Sequence, residues 1–400
     1  MAADADTAHA LFADWAQQFL DARHAGTALP SIAEGSRLAA ARREALADEI
    51  KRNPQRALER SVPWQWRQTL PRDITVYFEE QVSGRGNLDV FCAYPLPGAD
   101  YREFGGGVMR YATVNGRTYQ AYVYGQRVRQ MSQRNIAIEG IAIDNRLALL
   151  EEPLRLLDPD ESFDIAARGQ VPPKAQCALC GSGPVAGGPR LLASYGGRYL
   201  DVCCPAHASD LAKTLADAER QSRVGLASSG GDAFGGNSWW TSPPPASAGG
   251  TFGTKLVLYM RVVFRDDIRV PISEGEVMTI MDEVNAFYKE ASYNKTALIT
   301  TVTPVLTLPH PKLNYSFMGP GALLQDAITE AIKLGYKAEN YHQLILQFTT
   351  VPGYEWGGLG GGGVAWLQGS GVGLTVHELG HCYGLGHANF WETRRPVLPT

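Results

Sequence analysis

His377-Glu378-Leu379-Gly380-His381-Cys382-Tyr383-Gly384-Leu385-Gly386-His387 holds three of the eight histidines of the chain. With this composition the spacing HExxHxxGxxH arises by chance about 10⁻⁵ times in a chain of this length, so a merely histidine-rich helix is a poor account of it. On an α-helix His377 and His381 stand one turn apart on the same face, where both imidazoles can bind one metal ion. Glu378 is rotated about 100° from His377, beside the metal rather than on it. There it can take a proton from an activated water and pass it to a leaving amine. Gly384 supplies the left-handed residue that ends the helix, so the chain turns back and His387 completes a three-histidine set. A structural zinc site is closed by four protein ligands. Three ligands with an open position and an adjacent carboxylate form a hydrolase arrangement. The spacing therefore predicts zinc on His377, His381 and His387, with Glu378 as general base.

Upstream, the pattern is α/β. Leu256–Phe264 reads as an apolar strand, and Glu274–Ala291 as a helix with Val277, Ile280, Met281, Val284 and Phe287 on one face. Ala297–Leu308 is a second strand, Ala322–Leu334 a helix and Leu344–Thr349 a third strand. Gly357–Gly363 reads as a glycine loop. No Lys-Ser/Thr follows it, so it is a flap beside a cleft rather than a phosphate loop. Val364–Leu367 reads as an edge strand and Leu374–Tyr383 as the motif helix.

The histidine motif, Ala365-Trp-Leu-Gln-Gly-Ser-Gly-Val-Gly-Leu-Thr-Val-His377 before it and His387-Ala388-Asn389 after it resemble the metzincin zinc metalloproteases, most nearly the gametolysin-like branch and its bacterial relatives. The resemblance covers about 254–393, and the order of strands and helices is similar to the N-terminal half of a metzincin catalytic domain. It implies a zinc-dependent endopeptidase whose protein or peptide substrate adds as a strand to Val364–Leu367. It also implies a methionine turn beyond the third histidine. The methionines, at 1, 109, 131, 260, 278, 281 and 318, all precede it. We therefore expect an incomplete catalytic domain in a piece of a longer protein. Export, to an extracellular or periplasmic space, is implied by the resemblance with a leader absent from this chain. Met1-Ala-Ala-Asp-Ala-Asp is not a signal peptide as written, and a cytoplasmic protein is the alternative.

The whole reads as a multi-domain α+β chain: a helical N-terminal segment (1–70), a β-rich accessory or pro-domain (71–170), a Cys-rich unit (171–224), a Gly/Ser/Pro linker (225–253) and the incomplete protease domain (254–400). Leu11, Phe12, Trp15, Phe19 and Leu20 fall at helical spacing, and residues 33–62 read helical with a break at Asn53-Pro54. Alternation of Ile74, Val76 and Phe78 predicts a strand from about 74, and Leu88, Val90 and Cys92 alternate in the same way. Tyr111–Val114, Asn115-Gly116 and Arg117–Tyr124 predict a hairpin with a type I′ turn. Ile136–Ile143 is a further strand.

Cys177-Ala-Leu-Cys180-Gly181 is a CxxCG knuckle. Leu191–Tyr199 forms a hairpin through Gly196-Gly197, and Cys203-Cys204-Pro205-Ala206-His207 opens a helix, Ala208–Ser222. Knuckle, hairpin and helix resemble a treble-clef zinc site with Cys177, Cys180, Cys204 and His207 as ligands and Cys203 as the rival of Cys204. Disulfides or free thiols are the other readings of these cysteines. Cys382 reads as a small core residue. Nothing around Cys92 resembles the segment with which some metzincin prodomains cap the zinc. His9, His24, His310 and His342 have no partners at ligand spacing.

Lys plus Arg number 37 against 41 for Asp plus Glu, a net charge of −4, which argues against an electrostatic nucleic-acid binder or a basic membrane-surface protein. The best apolar run, Leu256–Phe264, is interrupted by Arg261 and is too short to span a bilayer. Two functions follow: a zinc metalloendopeptidase with one catalytic and a second, structural zinc, or a non-catalytic binding or scaffold protein with a degenerate protease domain. The intact Glu378 favours the enzyme.

Overall fold

The computed structural model describes residues 5–95, 107–128, 132–171, 176–183, 190–228 and 251–385. His387, its Ala388-Asn389 flank and most of the expected linker lie outside these residues. The chain forms two units, Met1–Val90 with Arg110–Ser238 and Phe91–Met109 with Trp239–Thr400.

The first unit opens with α1 (Ala5–Ala25), α2 (Ile32–Arg52), α3 (Pro54–Glu59), α4 (Trp64–Thr69) and α5 (Arg72–Thr75). Phe12, Trp15, Phe19, Leu38, Leu70 and Ile74 make their core. A Cβ on Gly35 would come within 2.2 Å of the Trp15 ring, so glycine there is what lets α1 and α2 approach. Asn53 ends α2 and its side chain accepts the Arg56 amide at 3.1 Å, capping α3. The strand expected from residue 74 does not form. Ile74 sits in the α5 turn with its side chain in the helical core, while Val76 is 59% exposed. Three alternating apolar residues are too few to separate a strand from a helical turn, and pairing starts only at Glu80.

β1 (Glu80–Pro95), β2 (Val108–Val114), β3 (Arg117–Tyr122), β4 (Gln133–Ile143) and β5 (Arg146–Leu149) follow. In this unit the strand order is β1-β2-β3-β5-β4, with β4 pairing back onto β1, so the strands close into a small barrel. Its interior holds Val82, Leu88, Val114, Tyr119, Ile136, Ile138 and Leu147, which face inward on alternate positions. Asn115 (φ 51) and Gly116 (φ 76) form the expected type I′ turn between β2 and β3. A Cβ on Gly140 would meet the Ala148 carbonyl at 2.2 Å, which is why a glycine stands where β4 meets β5. β6 (Arg155–Leu156), α6 (Pro159–Ala167), β7 (Leu191–Tyr195), β8 (Arg198–Val202) and α7 (Pro205–Ser228) complete the unit, β6, β7 and β8 forming a three-stranded antiparallel sheet. Glu219 on α7 accepts the Ala137 amide at 2.9 Å and pairs with Arg127 at 3.0 Å, anchoring α7 to the barrel.

The second unit contains β9 (Gly253–Val263), α8 (Glu274–Ala291), β10 (Thr296–Val302), β11 (Leu306–Thr307), α9 (Lys312–Lys333), β12 (Gln343–Gln347), β13 (Trp356–Gly361), β14 (Val364–Leu367) and α10 (Val372–Cys382). Its sheet runs β10-β9-β12-β14-β13, with β9 parallel to β10 and β12, β14 parallel to β12, and β13 antiparallel to β14. Pro304 cannot donate to a ladder, which divides the expected strand at 297–308 into β10 and β11. Gly319 (φ 82) and Pro320 kink α9. A capping box, Ser273 with Glu276, starts α8. Val277, Met281, Val284 and Tyr288 of α8 pack with Val257, Tyr259, Ile345, Leu367 and Leu379, so α8 and α10 share one core beside the sheet.

Two expectations are corrected here. Residues 357–361 are not a flap: they lie in β13, and Gly358, Leu359 and Gly360 are paired on both sides. Val364–Leu367 is not an edge strand: it lies between β12 and β13, and its four residues are buried. β13 is enclosed as well: the Phe91–Pro95 end of β1, which belongs to this unit, pairs antiparallel with it, Cys92 opposite Gly360 and Tyr94 opposite Gly358.

Candidate active site

α10 brings His377 and His381 together as the i, i+4 spacing requires. Their Nε2 atoms are 3.0 Å apart and their rings meet at 88°. The Nδ1 of His381 lies 2.6 Å from the Leu385 carbonyl, which can only accept. Nδ1 therefore carries a hydrogen and donates it to that carbonyl, which leaves Nε2 as the ring atom available to a metal. The contact exists because the helix stops: Gly384 (φ 87) turns the chain, and the Leu385 amide donates to the Gly380 carbonyl at 3.1 Å.

Glu378 is fully buried, and neither carboxylate oxygen has a hydrogen-bond partner among the described residues. Burial raises its carboxyl well above the ordinary carboxylate range. The side chain lies against β13, where a Cβ on Gly358 would come within 2.4 Å of its Oε1 and one on Gly360 within 2.5 Å of its carbonyl. The glycines that read as a loop are thus a strand with no side chains on the face that meets α10. Tyr288 of α8 donates its hydroxyl to the Val376 carbonyl at 2.7 Å and packs against Tyr383, fixing α10 from the other side. Burial pushes the Cys382 thiol up to about 12, as suits a small core residue. The Tyr94 ring stands edge-on to His377 at 5.3 Å.

In the first unit the chain forms the expected knuckle, hairpin and helix. The ligand atoms of Cys177, Cys180, Cys203 and His207 lie within 4.8 Å of one another and can hold a metal ion. The fourth member is Cys203 where the sequence reading preferred Cys204. The described cysteines are free of disulfides. The other histidines have local roles: His342 accepts the Leu256 amide at 2.9 Å, His9 lies 3.3 Å from Glu49 and His310 lies 4.0 Å from Asp326.

Sequence reasoning missed Tyr94, Tyr288 and the pair Gly358 and Gly360. The glycine pair had a signal in its i, i+2 spacing beside Trp356, which marks a strand closely approached by another element. Tyr94 had none, because its contact joins residues nearly three hundred positions apart.

Residues 325–395, which include the motif helix, match the family model described as Peptidase M66. The match supports a metallopeptidase, and the peptidase reading is compatible with a metal ion and a peptide substrate. No curated protein and no solved structure matches the chain. Among the described residues no helix is long and apolar enough to cross a membrane.

Proposed function

We propose that the second unit is the catalytic part of a zinc metalloendopeptidase of the metzincin, gametolysin-like type. The observation that carries this is the pair of Nε2 atoms 3.0 Å apart on α10, with His381 Nδ1 held by the Leu385 carbonyl and Glu378, the residue after His377, buried without a polar partner among the described residues. A tetrahedral zinc with nitrogens at ~2.0–2.1 Å sets them about 3.3 Å apart, so the pair fits one ion. His377 and His381 would hold it together with His387. Bound there, zinc supplies Lewis-acid chemistry toward a water molecule and a peptide carbonyl. Glu378 takes the proton of the attacking water at its carboxylate and returns it to the leaving amine nitrogen. The Leu385 carbonyl keeps His381 oriented, and Tyr288 holds the helix that presents all three side chains. Action on protein substrates outside the cytoplasm rests on the family resemblance.

A peptide that adds as a strand would lie along β13, since β14 is enclosed. Phe91–Pro95 already pairs there, so substrate has to displace it or enter beside it.

The test is elemental analysis and casein hydrolysis on the wild type, His377→Ala and Glu378→Gln. His377→Ala should lose one equivalent of zinc, and Glu378→Gln should keep its zinc and lose hydrolysis. Zinc unaffected by His377→Ala would sink the proposal. Zinc binding without turnover by the wild type would favour the binding or scaffold protein instead.

A further inference from the structure

We propose that Cys177, Cys180, Cys203 and His207 form a closed, structural zinc site that holds the Cys-rich part of the first unit together. It is separate from the histidine site and does not depend on the peptidase reading. The Sγ of Cys203 lies 2.9 Å from Nδ1 of His207 and 4.0 Å from Sγ of Cys180, and the Sγ of Cys177 lies 3.8 Å from the same Nδ1. Tetrahedral zinc with Zn–S of ~2.3 Å and Zn–N of ~2.0–2.1 Å spaces its ligand atoms about 3.5–3.8 Å apart. The four donors therefore converge on one point. A disulfide needs sulfurs ~2.05 Å apart, whereas Cys203 stands 4.0 Å from Cys180 and 3.9 Å from Cys204, and all four cysteines here are free.

Three thiols with one imidazole are the donor set of structural zinc, and four protein ligands leave no position for substrate. The surroundings are those of a held ligand set. The backbone amides of Leu179, Cys180 and Cys203 point at the Cys177 sulfur. The knuckle closes through Gly181 (φ 71), whose amide donates to the Cys177 carbonyl at 2.8 Å, and is tied to β8 by the Ala178 amide on the Asp201 carbonyl. Such outer contacts orient the ligands.

The choice of Cys203 over Cys204 has a local cause. Cys204 is the N-cap of α7: its carbonyl accepts the Ala208 amide at 3.1 Å and its sulfur accepts the amides of Ala206 and His207. That sulfur is committed to the helix start, which leaves its neighbour to face the cluster. The need for a metal is also visible. The core behind the hairpin consists of Leu154, Ala193, Val202, Ala208, Leu211 and Ala212, three of them alanines, and a core so small is usually stapled.

The experiment uses the full chain carrying His377→Ala, kept reduced, so that the histidine motif does not contribute. After zinc removal it is titrated with Co(II), beside the same protein with Cys203→Ser or Cys204→Ser added. The expected result is a thiolate-to-cobalt charge-transfer band in the parent and in Cys204→Ser, and none in Cys203→Ser. Iodoacetamide labelling read by mass spectrometry covers the case in which Cys203→Ser fails to fold. Zinc should protect Cys177, Cys180 and Cys203 and leave Cys204 reactive, and a chelator should expose all four. The proposal is overturned by the absence of a charge-transfer band in the parent or by a disulfide among the four residues. It is equally overturned if the band is lost in Cys204→Ser and kept in Cys203→Ser. None of these readouts involves peptide hydrolysis, so its failure and the failure of the peptidase reading are distinguishable.

Discussion

At Glu378 two roles meet in one side chain. A carboxyl group buried without a hydrogen-bond partner among the described residues is unfavourable for the fold, a cost that the proposed role as general base would account for. Glu378→Gln keeps the shape and removes the charge. It should lower kcat/KM by about 10²- to 10⁴-fold while leaving the thermal midpoint equal or higher. A large loss of stability would instead make the carboxylate a structural group. His9 shows a different use of burial. Burial, then the charges of Arg42 and Arg60, lower its pKa from 6.5 to about 4. The unfolded chain therefore takes up the proton first, and this residue makes the first unit less stable as pH falls from about 6.5 to 4. Glu49, 3.3 Å away and raised by its own burial, opposes part of that trend. Urea midpoints across this range should fall less steeply in His9→Gln than in the wild type. Parallel slopes would mean that the histidine titrates normally.

Among the elements, β13 decides how α10 is presented. Gly360 has no room for a methyl group, since a Cβ there would meet the Glu378 carbonyl at 2.5 Å and its Oε2 at 2.7 Å. Gly360→Ala should push the motif helix off the sheet, costing about 1–3 kcal/mol of stability and most of the hydrolysis. Unchanged melting would show that the strand yields. The Phe91–Pro95 end of β1 lies along the same strand, with Tyr94 over His377. If that ring limits entry, Tyr94→Ala should raise kcat/KM for an extended peptide several-fold with little change in zinc content. A fall would instead make Tyr94 part of the substrate's binding surface. The glycine run shows why elements were harder to read than sites: seven residues with six glycines carry no hydrophobic period, so a strand defined by its neighbours reads as a loop.

For the molecule as a whole, two units with separate cores should unfold in two calorimetric transitions. The Arg127–Glu219 pair lies within the first unit, with both side chains only 5% exposed. Arg127→Ala removes the cation that pairs with the buried Glu219 carboxylate, and about 3–5 kcal/mol should be lost from one transition while the other stays in place. Movement of both would show that the units melt as one.

The pairing of His377 with His381 on one helix face, the Asn115-Gly116 turn, the Asn53-Pro54 break and the Cys/His knuckle were legible because each is a local rule: i, i+4 spacing on a helix, positive φ at a turn, a missing amide, donors on a short loop. The chain alone therefore determined which chemistry is available and which segments bend. Only tertiary structure decided what lies beside what. It enclosed β14 and β13 between neighbours, set glycines under Glu378, brought Tyr94 to His377 and turned Cys203 rather than Cys204 into the cluster. These outcomes depend on strand order, on close approach between elements distant in the chain, and on which sulfur a helix start had already engaged. Periodicity and spacing encode none of these three.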